Sequence, residues 1–157
     1  MAVIDLRSNP AFCRLLRNSY HRLTGLSLIP EDIEDSEAAD WLYKTAPFGI
    51  LAHNTASDPI FIYGNQAAQN LFGYNWDELT ALPSRLSAEA PLREDRQRFL
   101  EQVQRDGFIS GYSGVRITKD GRRFRIENAT VWQLVDDNGT HHGQAAMLPA
   151  DKIRSVP

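Results

Sequence analysis

The sequence predicts an α+β domain: a five-stranded antiparallel sheet with a helical crossover on one face and an N-terminal helical extension. Three observations predict it. Short apolar runs at Gly49–Ala52 and Ile60–Tyr63 are bounded by turn residues and read as strands. Apolar residues at helical spacing then recur from Asn65 to about Arg105. Asp120-Gly121 and Asn138-Gly139 divide the last third into three strands, because both central residues of a type I′ hairpin turn need positive φ.

The elements follow in order. Asn9 caps a first helix, Pro10 suits its first position and Gly25 stops it. Phe12, Leu15, Leu16, Leu23 and Leu26 form its apolar stripe. An acidic stretch follows, and Ser36 is expected to cap a short helix carrying Ala38, Ala39, Trp41 and Leu42. Between the first two strands Asp58-Pro59 makes a turn. Asn65 caps a helix with Ala67, Ala68, Leu71 and Phe72 on one face, and Gly73 ends it. Asn75–Leu79 gives one more helical turn, and Pro83 breaks it. A longer helix is expected from Pro91 to about Arg105, with Leu92, Phe99, Leu100 and Val103 inward. Phe108–Thr118, Arg122–Val135 and Thr140–Leu148 are the strands of the meander, which Pro149 closes. The expected organisation is an extension over residues 1–45, the α+β domain over 46–149 and a tail over 150–157.

Bulk properties exclude several classes. The chain has 157 residues, enough for one core, and a formal net charge of −3. It lacks the basic surplus of a direct nucleic-acid binder. Its one cysteine, Cys13, allows neither an internal disulfide nor a CxxC metal site. No signal peptide and no apolar run long enough for a membrane span is present, so a cytoplasmic protein with no membrane contact is expected. GxSxG, phosphate-cradling glycine loops and HExxH are missing, and no enzymatic activity is expected.

Asn65-Gln66-Ala67-Ala68-Gln69-Asn70-Leu71-Phe72-Gly73-Tyr74 resembles the opening of the helical crossover in PAS domains, and the strand order fits that fold. Asp58-Pro59-Ile60-Phe61, Leu82–Glu89, Gly121–Ile126, Val131-Trp132 and Gly143–Ala146 resemble a narrower group, the MEKHLA family. That PAS-like domain occurs in short stand-alone bacterial and algal proteins, the type this chain resembles. It also occurs at the C-terminus of plant homeodomain–leucine zipper transcription factors. The resemblance implies a PAS fold and a sensory or partner-binding role, and it specifies no cofactor.

Candidate ligand-binding residues come from face assignments. In an unbroken strand Arg122–Val135, Asn128 and Thr130 share the apolar face with Phe124, Ile126, Trp132 and Leu134. Two polar residues there need partners, which a ligand, a core network, a bulge or water would supply. Arg96 falls on the stripe of its helix with Leu92 and Phe99, where it either meets an anion or reaches water along the stripe edge. Arg85 lies in the crossover as a second anion candidate or a salt-bridge former. Gln144 shares a face with Ala146 and Leu148, and Asn65 either aims its amide inward or caps its helix. His141 and His142 point to opposite faces, and His53 reads as a surface or capping residue rather than a haem ligand, so no metal site is expected. Photochemistry of the light-sensing PAS type needs a cysteine in the crossover, and Cys13 lies far upstream.

Two functions remain. In the first, a small molecule binds between sheet and crossover near Arg85, Arg96, Asn128, Thr130 and Trp132, and a separate output protein receives the signal. In the second, the core is filled and the domain is a dimerisation or protein-interaction module. That module would use the outer sheet face at Val131, Val135 and Arg123–Arg125, together with the N-terminal helix. The helix either pairs with a second copy, giving a homodimer, or packs on its own sheet. A cavity in the core discriminates between the two.

Overall fold

A computed structural model describes residues 5–88 and 90–156, without the side chains of residues 90–93, 95, 96 and 100. Helix α1 (Pro10–Thr24) starts at Asn9, whose side chain accepts from the Phe12 N–H, and ends at left-handed Gly25. Its buried face is Phe12, Cys13, Leu16, Ser19 and Tyr20. Leu26, expected on that stripe, lies beyond the Gly25 turn and is exposed. Helix α2 (Asp35–Asp40) begins one residue before the expected Ser36 cap and runs into a π-helical turn, Trp41–Thr45.

Strands β1 (Gly49–His53) and β2 (Phe61–Gly64) form an antiparallel pair. The crossover is α3 (Gln66–Phe72), α4 (Trp76–Leu79), a 3₁₀ turn at Ser84–Ser87 and α5 (Ala90–Asp106). Asn65 caps α3, and Asn75 with Glu78 forms a capping box on α4. The meander is β3 (Phe108–Ile117), β4 (Arg123–Val135) and β5 (His141–Leu148). The strand order is β2-β1-β5-β4-β3, so the last meander strand pairs with the first strand of the chain. Residues 150–156, read as a tail, form a 3₁₀ turn and a short strand β6 (Ile153–Val156). It pairs with Arg123–Ile126 of β4.

The sheet is covered on both faces. Phe12, Leu16 and Tyr20 of α1 pack with Trp132, Leu134 and Ile50 in one apolar cluster on the outer face. Phe72, Leu79, Phe124, Ile126, Ala129 and Leu148 form a second cluster under the crossover. Packing of α1 on its own sheet is therefore the arrangement found.

The unbroken alternation expected along β4 does not hold. Tyr112 of β3 pairs with Ala129 and Gly114 with Ile126, so two residues of β4, Glu127 and Asn128, oppose one of β3. Asn128 takes φ 57°, the sole positive φ outside glycine among the described residues. The extra residue reverses the facing of everything after it. Phe124 and Ile126 face the crossover, and so do Ala129 and Val131, while Thr130, Trp132 and Leu134 turn toward the outer face.

Candidate functional site

Between the sheet and the crossover lies a cavity of about 70 Å³. Its walls are mainly apolar: Leu51, Phe61, Phe72, Ile126, Val131 and Leu148 contribute from β1, β2, α3, β4 and β5. Among the described lining residues, five bring polar groups: Tyr112 and Arg116 of β3, Ser87 of the 3₁₀ turn, Gln144 of β5 and His53 of β1. No carboxylate is among the described lining residues.

Tyr112, Gly114 and Arg116 alternate onto one face of β3. Arg116 is 9% exposed. Its guanidinium donates to the Tyr112 hydroxyl and, over 2.9 Å, to the Val115 carbonyl. It also sits 5.2 Å from the centre of the Tyr112 ring. Gly114 makes this possible. A Cβ there would stand 2.6 Å from the Tyr112 hydroxyl and 3.2 Å from Arg116 Nη1. Phe99 of α5 closes the arrangement edge-on over Tyr112, with ring centres 3.9 Å apart. Among the described residues no acidic side chain pairs with Arg116. Among the described residues no fully buried side-chain polar atom lacks a hydrogen bond, so within them Arg116 has hydrogen-bond partners but no counter-charge.

On the β1–β5 side, His53 Nδ1 lies 2.8 Å from the Asn54 carbonyl, which requires a proton on Nδ1. Neutral His53 then presents Nε2 as an acceptor, 3.4 Å from Gln144 Nε2. The neighbouring β5 residue, Gly143, has φ 147°, and a Cβ there would collide with the His53 carbonyl at 2.0 Å. The close β1–β5 approach that holds His53 against Gln144 thus depends on that glycine.

Of the residues expected to bind a ligand, Gln144 lines the cavity. Asn128 is exposed at the bulge, and Thr130 and Trp132 lie on the opposite face because of it. Trp132 is fully buried against α1, with its indole N–H donating to Ser19 Oγ at 3.1 Å and its ring edge-on to Tyr20. Asn65 is fully buried and completely used. Its carbonyl oxygen accepts from the Ala68 and Ile50 amides at 3.0 and 2.9 Å, and its NH₂ donates to the Leu42 and Phe48 carbonyls at 3.0 and 2.9 Å. Arg85 is half exposed and paired with Asp58 at 3.1 Å. The Arg96 side chain lies outside the described residues. Tyr112, Arg116, Ser87 and His53 had not been singled out for this cavity. The signal available for two of them was the period-two placement of Tyr112 and Arg116 on one strand.

The cavity is far below the ~300 Å³ at which pockets for drug-sized ligands begin, and a flavin ring system does not fit it. Cys13 is buried in the outer-face cluster, across the sheet from the cavity, and burial pushes its thiol up to about 11. Among the described residues no group of three or more His, Cys, Asp or Glu is placed to hold a metal. No helix among them is long and apolar enough to cross a membrane.

The sheet order and the crossover define a PAS-type fold. The PAS domain of a Colwellia psychrerythraea protein superposes with a TM-score of 0.62 at 16% identity, covering 76% of this chain and 94% of that one. A light-oxygen-voltage domain studied with a flavin analogue gives 0.58 at 16% identity, covering 80% and 87%. An RNA-binding light-oxygen-voltage receptor gives 0.62 at 18% identity, covering 77% and 34%. The chain belongs to the MEKHLA domain family, whose model matches residues 10–152. It is 26% identical over 142 residues to the homeobox-leucine zipper protein HOX32 of Oryza sativa subsp. japonica, covering 86% of this chain and 16% of that protein. It is 27% identical over 157 residues to ATHB-9 of Arabidopsis thaliana, also a homeobox-leucine zipper protein, covering 92% and 18%. The chain thus spans under a fifth of the length of these curated relatives.

Proposed function

We propose that this chain is a non-enzymatic sensory domain that binds a small molecule between sheet and crossover and transmits occupancy to a partner domain or protein. The observation that carries this reading is the cavity with a buried Arg116–Tyr112 pair in a mainly apolar wall. Phe99 rests on Tyr112, so a molecule seated against Tyr112 bears on the packing of α5. Transmission then needs nothing more than different affinities of the ligand for two α5 positions. The chemistry of the lining favours binding over catalysis. Ser87 donates its hydroxyl proton to the Ser84 carbonyl at 2.7 Å, and no carboxylate is available among the described lining residues.

Native mass spectrometry of freshly purified protein, followed by a denaturing run, tests this reading. An extra mass that disappears on denaturation and is missing from Ala129→Phe, which fills the cavity, is the expected result. Identical apo masses, together with small-molecule binding unaffected by Ala129→Phe, would remove the cavity from the account.

One observation favours a second reading, a protein-interaction module. The outer face of the sheet beyond α1 carries Val115 and Ile117 half buried beside exposed Arg123, Arg125 and Arg154. Val131, expected on that face, points into the cavity instead. A dimer in light scattering that Arg125→Glu dissociates, in a protein that binds nothing, would favour that reading.

A further inference from the structure

We propose that the cavity selects a small monocarboxylic acid with an apolar body, using Arg116 and Tyr112 as the carboxylate receptor. The inference rests on the cavity reading above and adds the chemical class. It starts from charge. A guanidinium taken out of water is costly unless paired, and the described surroundings of Arg116 offer a phenol and a backbone carbonyl but no acid. Two of its five N–H groups are engaged there, and its planar fork suits a carboxylate. The Tyr112 oxygen accepts from Arg116, so its own O–H points elsewhere as a donor. One cation and one hydroxyl donor, held side by side across Gly114, match one carboxylate.

The rest of the lining sets the body of the ligand. A single cationic residue occurs among the described lining residues, which suits a monoanion better than a phosphate dianion. Ala129 and Val131 of β4 lie between Tyr112 of β3 and Ala146 of β5 and give the cavity an apolar floor. An apolar segment fits over that floor. A volume of about 70 Å³ limits the occupant to a few heavy atoms, so short aliphatic acids are the range.

The test is calorimetric titration of the full chain with acetate and butyrate against the neutral isosteres acetamide and butyramide. The acids should bind about tenfold or more tightly than the amides, the advantage of a charge-assisted over a neutral hydrogen bond. Arg116→Met should abolish that preference, and Tyr112→Phe should reduce it severalfold. If Arg116→Met does not fold, Tyr112→Phe and the acid–amide comparison in the unaltered protein decide. Equal binding of acids and amides overturns the carboxylate assignment and leaves the cavity reading standing. Preference for the acids that survives both substitutions also overturns it. No binding of any of the four, with thermal stability unmoved at millimolar concentrations, removes both.

Discussion

Asn128, at φ 57°, decides which half of β4 faces the cavity. A left-handed backbone costs most residues about 1–2 kcal/mol and costs asparagine or glycine much less. Asn128→Val should therefore lower stability by about 1–2 kcal/mol in urea unfolding, whereas Asn128→Gly should stay within about 0.5 kcal/mol. Equal losses would mean that the bulge is not held by backbone preference. Asn65 makes a second residue-scale case. Its amide satisfies two N–H groups and two carbonyls, tying α3 to β1 and to the end of the π-helical turn. Asn65→Ala leaves several buried groups unpaired and should cost ~3 kcal/mol, read as a lower urea midpoint at unchanged slope. Caps such as Asn9 and Asn65 were legible in the sequence because capping chemistry is local. The full use of the Asn65 amide was not legible, since three of its partners (Leu42, Phe48 and Ile50) lie far away in the chain.

At the scale of elements, β4 explains the misplaced site. Polar and apolar residues alternate cleanly up to Asn128 and Ala129–Val135 is mainly apolar on both faces, so nothing local marks a break, yet one added residue moves Trp132 and Thr130 to the other face. Arg116 stayed hidden for a related reason. In β3, Gly111 and Gly114 interrupt the alternation that would have marked its inward face. Strand β6 depends on pairing with a distant half of β4, which no local pattern announces. Helix α1 yields two predictions. Leu16 is fully buried against the sheet, so Leu16→Ala should cost about 2–5 kcal/mol in urea unfolding, and a loss below 1 kcal/mol would separate α1 from the core. Cys13 beside it should resist iodoacetamide at pH 8 until the protein is unfolded. Burial raises this thiol from 9.0 to about 11, so folding favours the neutral form. Stability is then level below pH 9 and falls between pH 9 and 11, where the unfolded thiol ionises and the folded one does not. Burial raises the Tyr63 phenol as well, which acts in the same direction at higher pH. Cys13→Ala should flatten the decline between pH 9 and 11, and an unchanged profile would assign it elsewhere.

The whole molecule is a sheet with two differently built sides. The outer side is closed by α1 around Trp132 and is filled, while the inner side under the crossover retains a cavity with a buried cation in its wall. In the proposed function, one face carries stability and the other ligand recognition. Fold class, element order and family membership were legible because strand spacing, hairpin dipeptides and the crossover motif are encoded locally. The cavity was not, because its lining joins residues from eight separate segments.

Methyl-resolved NMR during a butyrate titration tests the central claim most directly, because it reports both faces in one experiment. The account predicts shifts at the methyls of Leu51, Val131 and Leu148, which line the cavity, with Leu16 and Leu134 across the sheet unmoved. Shifts confined to Leu16 and Leu134, or none on either face at saturating butyrate, would contradict it.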